Sequence, residues 1–211
     1  MCISLRAIAK RVEGLEKILL KAEELFFVNG VKSTTMDDLA RALGASKKTL
    51  YQFVENKDDL VFKVMDQHLA LEIKAVNKIT SHSSNAIEEL LTIARHVTGH
   101  LKTFNPNILS DMQKYYPQAW GLFISYKNTF IYNTILENVQ KGIAQGLYRD
   151  DLHPEIIAKI YGVKSEFMLD QNLFPFTSYT IVGVYNEYLK YHIRGIASAE
   201  GIKYLEQIKT I

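Results

Sequence analysis

Apolar residues recur along this chain at helical spacing rather than at strand spacing. From Val12, the positions Leu15, Ile18, Leu19, Ala22, Leu25 and Phe26 fall every three or four residues, which predicts a helix closed by Asn29-Gly30. A second stripe, Leu60, Val61, Val64, Met65, Leu69, Ile73 and Val76, predicts a helix over 57–78 with Asn56 as its N-cap and the polar run Ser81-His82-Ser83-Ser84 at its end. Asn85, with Glu88 three residues on, opens another over 86–103. Breaks at Asn105-Pro106, Pro117 and Gly146 delimit helices over 106–115 and 118–145. Pro154 suits the first turn of one reaching about residue 170, and beyond Pro175 helices follow over 178–194 and from Ser198. No segment alternates for long, so the expected fold is all-α, with a small three-helix head at 1–56 and a larger helical domain at 57–211.

The stretch 34–57 is the most specific part of this pattern. Thr35 can cap a helix over 36–43, with Asp38 as its capping-box partner, and Gly44 can take the positive φ that ends that helix. Ser46 can cap a second helix from Lys47. On that helix Leu50, Phe53 and Val54 share one face, while Lys47, Lys48, Tyr51 and Gln52 share the other and Thr49 lies on the boundary. Between Leu39 and Val54 stand Arg41, Lys47 and Lys48 and no acidic residue, which suits a helix lying against phosphates. The pattern is that of a helix-turn-helix; an ordinary helical hairpin with a glycine turn and surface lysines has the same spacing.

Composition narrows the class. A chain of 211 residues with 47% apolar content can bury a real core, and a formal net charge of only +2 means that any nucleic-acid contact must come from locally placed charge. Residues 1–11 carry Arg6, Lys10 and Arg11 and no acid, and are expected as a solvated terminus or a basic arm. The single cysteine, Cys2, allows no intrachain disulfide, and no run approaches the ~18 apolar residues of a membrane span or the apolar stretch of a signal peptide. A cytoplasmic protein without membrane contact is expected.

The head resembles that of the TetR family of bacterial transcriptional regulators. The likeness is carried by Gly30, Thr34-Thr35, Asp38-Leu39-Ala40, Gly44, Ser46-Lys47, Thr49-Leu50-Tyr51 and Asn56-Lys57, in the family's order and spacing. Later segments resemble it more loosely, through Gly142 and Gly146 before Tyr148-Arg149-Asp150, Pro154-Glu155, and Arg194-Gly195-Ile196-Ala197. The resemblance implies a DNA-binding set of Thr35, Ser46, Lys47, Lys48, Thr49, Tyr51, Gln52 and Lys57. Within it Thr35, Tyr51 and Lys57 would meet phosphates, and Lys47, Lys48, Thr49 and Gln52 would face the major groove. Lysine can donate to guanine O6 and N7, and glutamine can pair with adenine N6 and N7. Lys48 stands where the family often has glycine and Val54 where phenylalanine is common, so a typical member's base preference does not carry over.

Aromatics crowd the remainder, where 11 of the 12 tyrosines follow residue 114. Such a domain can form a core, a dimer interface, or a pocket with apolar walls and polar handles. The resemblance implies a ligand-binding and dimerising domain. The candidate pocket set is His100, Phe104, Tyr116, Trp120, Phe123, Tyr126 and Phe167; the candidate interface set is Ile157, Tyr161, Tyr185, Tyr188 and Leu189. His96 and His100 are four apart, but two ligands do not make a metal site, and no metal or cofactor is expected. Gly142 and Gly146 are also four apart; the second is read as a helix end. Nucleophile elbows, phosphate-binding glycine loops and zinc-hydrolase pairs are absent from the sequence, and an enzyme is not expected. The reading is a homodimeric repressor released from a palindromic double-stranded operator by a small apolar or aromatic effector. Its alternatives are a DNA-binding regulator without an effector, and a helical enzyme or binding protein with a vestigial head.

Overall fold

The computed structural model describes residues 5–208; of 5–11, 165 and 166 only the backbone is described. Cys2 and the first part of the expected basic arm lie outside the described residues, as do the side chains of Arg6, Lys10 and Arg11. The described backbone is helical, with one isolated bridge between Tyr148 and Ala197 and no strand. No helix among the described residues is long and apolar enough to cross a membrane. The helices are α1 (Leu5–Asn29), α2 (Met36–Leu43), α3 (Lys47–Leu50), α4 (Lys57–His82), α5 (Ala86–Leu101), α6 (Asn107–Tyr115), α7 (Pro117–Tyr126), α8 (Tyr132–Ala144), α9 (Pro154–Gly162), α10 (Lys164–Met168), α11 (Ile181–Ile196) and α12 (Ala199–Ile208).

They group into two compact units: 1–72 with 103–124, and 73–102 with 125–211. In the first, Ile18, Leu19, Ala22 and Phe26 of α1 are buried, as the periodicity predicts, together with Leu39 of α2, Leu50, Val54, and Leu60, Val61 and Val64 of α4. The segment 103–124 belongs to this unit: the Asn105 amide donates to the Phe27 carbonyl at 2.8 Å, and Ile108 and Met112 of α6 are buried.

In the second unit α5, α8, α9 and α11 share a core that includes Ile87, Leu90, Ile135, Val139, Ala158, Tyr161, Tyr185 and Ile193. A polar network crosses this core. The Asn138 amide donates to the Ala86 carbonyl at 2.9 Å and to Glu89 at 2.8 Å; the Tyr148 hydroxyl donates to Asn138 at 3.0 Å; the Lys141 ammonium meets Glu89 at 2.7 Å. Every member therefore has a partner, which is what makes a buried carboxylate and amide tolerable. Burial also raises the Tyr148 hydroxyl well above the ordinary tyrosine range. Gly142 leaves room for the Tyr148 ring, because a Cβ there would lie 2.0 Å from a ring carbon. The segments at 146–149 and 196–198 close on each other through Arg149 N to Ile196 O and Ser198 N to Leu147 O, both 2.9 Å.

Two expected helices prove to be broken. The helix expected over 118–145 is interrupted by one π turn at Lys127–Ile131, between α7 and α8, with no proline or glycine to mark it. The helix expected from 154 to about 170 divides into α9 and α10 at Val163, where φ −83° and ψ −6° interrupt the regular repeat; Lys164 then lies over the Tyr161 ring, its ammonium 3.3 Å from the ring centre. The final long helix starts at Ile181 rather than 178, capped by Thr180, whose hydroxyl accepts from Gly183 N at 3.0 Å.

Candidate nucleic-acid interface

The helix pair α2–α3 is built by its caps. Thr35 lies in extended backbone; its hydroxyl accepts from Asp38 N at 3.2 Å, and Asp38 accepts from Thr35 N at 2.9 Å, completing the expected capping box. These bonds from Thr35 hold the Asp38 carboxyl below the ordinary aspartate range. Gly44 takes φ +61°, and its N–H returns to the end of α2. Ser46 then caps α3, its hydroxyl accepting from Thr49 N at 3.1 Å and lying 2.9 Å from the Thr49 hydroxyl.

Regular α-helix in α3 covers only Lys47–Leu50, but the turn continues: Tyr51 N bonds Lys47 O at 3.0 Å and Phe53 N bonds Leu50 O at 2.9 Å. The two faces separate as the spacing predicts. Leu50 and Val54 are buried, while Lys47, Lys48, Thr49, Tyr51 and Gln52 are exposed. Lys47 pairs with Asp37 of α2 at 2.7 Å, which holds its ammonium above the ordinary lysine range. Both side chains are about half exposed, and such a pair is weak in water, so Lys47 can exchange Asp37 for another acceptor at small cost.

Lys57 is placed differently from the others. Its ammonium donates to the Lys32 carbonyl at 3.2 Å and lies 5.6 Å from the Tyr116 ring centre. Burial lowers its pKa against the opposing pull of Asp111, Asp58 and Asp38. An ammonium has three donors, so the Lys32 bond leaves two for an outside acceptor. Sequence patterning does not single out Lys32 itself. It is exposed; its ammonium donates to the Tyr115 hydroxyl at 3.1 Å, which raises its pKa, and its backbone N–H donates to Asp111 at 2.9 Å. The only sequence signal for it is a basic residue just ahead of the Thr35 cap, since its partners lie about 80 positions away.

The seven candidate pocket residues divide between the units. In the first, Phe104 meets Phe27 edge to face at 5.8 Å, Trp120 and Phe123 are 5.4 Å apart, and Tyr116 is buried, which raises its hydroxyl pKa. In the second, Tyr126 stacks on Phe130 at 5.4 Å, Phe167 meets Tyr188 at 5.6 Å, and His100 stands edge to face with His96 at 4.7 Å. Of the candidate interface residues, Ile157 and Tyr188 are half-buried. Tyr161, Tyr185 and Leu189 lie in the core of their own unit, because their helix faces turn inward toward α5 and α8. The apolar side chains these segments expose are Ile156, Ile160, Val163 and Tyr191, at 55, 51, 49 and 80%.

A capped helix pair with a polar face on its second member defines the helix-turn-helix class. Residues 18–64 match the family model described as bacterial regulatory proteins, tetR family. Over 90 residues, 42% of this chain, the sequence is 36% identical to the uncharacterized HTH-type transcriptional regulator YvaF of Bacillus subtilis (strain 168), and the aligned part spans about half of that relative, 47%. The fold is similar to that of a TetR-family transcriptional regulator from Agrobacterium tumefaciens, with TM-score 0.74 and 16% identity over 89% of this chain and 100% of that one. It is also similar to the transcriptional regulator FadR from Bacillus subtilis, solved in complex with stearoyl-CoA, with TM-score 0.60 and 18% identity over 86% of this chain and 98% of that one. Residues 18–64 thus carry the likeness of this chain to the tetR family of bacterial regulatory proteins.

Proposed function

We propose that this chain is a DNA-binding transcription regulator, a homodimeric repressor that a small apolar or aromatic ligand releases from a palindromic operator in the cytoplasm. The observation that carries the DNA reading is the solvent-facing row Lys47, Lys48, Thr49, Tyr51 and Gln52 on a helix held by the Ser46 cap and packed through Leu50 and Val54. A short helix fixed on its apolar side presents its polar side to a groove with little ordering cost. Thr35, Tyr51 and Lys57 take the phosphates in this reading, and Ser46 caps the reading helix. Residues 1–56 act as the DNA-binding domain and 57–211 as the effector-binding and dimerising one.

A two-fold dimer supplies the second half-site that so small a head needs for tight binding. The exposed row Ile156, Ile160 and Val163, spaced four and three residues apart, supports a contact between copies. A neighbour with this fold was solved in complex with stearoyl-CoA, which supports a ligand-responsive reading. For release, the ligand must favour the state whose heads are wrongly spaced, with a coupling of about 1 to 3 kcal/mol.

Selection of binding sites from random duplexes tests the function. An enriched inverted repeat with half-sites about one helical turn apart or somewhat more is the expected outcome. A pool that stays random, with retention lost at moderate salt, overturns it.

A further inference from the structure

A second polar cluster lies inside the unit formed by 73–102 and 125–211, and unlike the Glu89–Asn138–Tyr148 network its hydrogen bonding is incomplete. The Lys164 ammonium at the start of α10 is 3.3 Å from the ring centre of Tyr161, 5.0 Å from that of Tyr185 and 5.9 Å from that of Tyr188. His192, one turn beyond Tyr188 on α11, stacks on the Tyr188 ring at 5.7 Å and meets the Tyr161 ring edge-on at 5.0 Å. Tyr161, Tyr185 and His192 are only 2, 1 and 7% exposed.

Among the described residues the Tyr185 Oη, the Tyr188 Oη and the His192 Nε2 are buried with no hydrogen-bond partner. Burial, and after it the neighbouring Tyr185, raise the Tyr161 hydroxyl well above the ordinary tyrosine range. Among the described residues no acceptor or carboxylate pairs with the Lys164 ammonium, whose pKa burial alone drives well below the ordinary lysine range. Burial, with Lys164 beside it, likewise brings His192 down to about 4, while burial pushes Tyr185 and Tyr188 up to about 12. Natural interiors seldom leave so many polar groups unmatched in one place.

The unmatched groups share a chemistry. Lysine and the tyrosine hydroxyls donate, and a neutral imidazole can turn an N–H toward the same acceptor. A cation set over tyrosine rings, with no anion beside it among the described residues, is completed by a carboxylate, which accepts several hydrogen bonds and cancels the charge. A cationic ligand would meet a like charge, and a neutral one would leave the ammonium uncompensated. The surroundings are apolar: Phe167 meets Tyr188 at 5.6 Å, and Met168, Val184 and Leu189 belong to the same core cluster.

We propose that this cluster binds the carboxylate of a small apolar monocarboxylic acid, with Lys164 as counter-ion and Tyr185, Tyr188 and His192 as further hydrogen-bond donors. The site deepens the ligand-responsive reading above and rests on it only for its consequence at DNA.

Calorimetric titration of the full chain with hexanoate, decanoate and phenylacetate, each set against its alcohol and its amine, tests the proposal. At least one carboxylate should bind about ten- to a hundredfold more tightly than its alcohol. Lys164→Met should abolish that preference while melting at or above the parent temperature, and Tyr188→Phe should weaken the carboxylate several-fold with the fold intact. Equal binding of alcohol or amine, a preference that survives Lys164→Met, or no binding by any probe at millimolar concentration overturns it and leaves the cluster a purely structural one. Operator retention in the same samples separates the two readings. A bound carboxylate that leaves DNA binding unchanged keeps the site and removes the ligand-responsive repressor. Release by a neutral compound that Lys164→Met does not affect, with no preferred binding of any carboxylate, keeps the repressor and removes the carboxylate site.

Discussion

The helix pair at 35–54 and the interior of the second unit handle polar chemistry in opposite ways. In the helix pair the polar groups lie outside, and the capping hydrogen bonds are short in sequence: Thr35 with Asp38, and Ser46 with Thr49. In the second unit a carboxylate, an amide, a lysine, a histidine and several tyrosines are inside, and their partners lie far apart in sequence, as Asn138 does from Ala86 and Glu89. Local capping makes the head a rigid platform whose outward residues are free to vary with the partner. Long-range pairing makes the interior of the second unit sensitive to every substitution, and the groups it leaves unpaired are the ones open to a ligand.

Substitutions that break this contrast should differ in size. Gly142→Ala should have the largest effect, about 3 kcal/mol or more of stability lost in urea unfolding, because its Cβ meets a buried Tyr148 ring that hydrogen bonds hold in place. If it proves neutral, the Tyr148 ring is not fixed and the network is looser than its distances imply.

His192 offers a pH test of the same interior. Its folded pKa, about 4, lies below its ordinary value of 6.5, so between the two the unfolded chain binds more protons. Its contribution is fully present above about pH 6.5 and is lost as pH falls toward 4, by about 2 to 3 kcal/mol. Against the parent, His192→Phe should therefore gain relative stability over that window in paired urea titrations. A difference that is flat with pH would mean that the imidazole titrates normally and is not desolvated.

In the head the expected effects are smaller and fall on binding. Gln52→Ala should cost about 1 to 3 kcal/mol at one base position and relax the preference there, with stability unchanged. Thr35→Ala should cost about 1 kcal/mol of stability through the lost cap, read as a lower midpoint in urea. Lys57→Ala should weaken binding to all sequences alike and lower the salt slope by about one. Altered base preference with an unchanged slope would instead confine Lys57 to its bond with the Lys32 carbonyl.

What the sequence determined by itself is the part whose causes are local. Caps, a glycine turn and a two-faced helix are all specified within about four residues, so α2, α3 and the division of 47–54 into buried and exposed faces are legible in the order of residues alone. So is α1 from Val12 on, though its helix already begins at Leu5, where the sequence predicts a solvated terminus or arm. The all-α class and most helix ends follow from apolar periodicity for the same reason. The tertiary structure alone decided the placement of 103–124 beside the first helices, the π turn at Lys127–Ile131, and the break at Val163 that brings Lys164 onto Tyr161. It also decided that Tyr161, Tyr185 and Leu189 belong to the core, and that Lys32 engages Tyr115 and Asp111. An apolar stripe states that a helix face is buried but not against what. Which aromatics meet, and which polar atoms lack a partner, depend on contacts between residues tens of positions apart, and no short-range pattern encodes those.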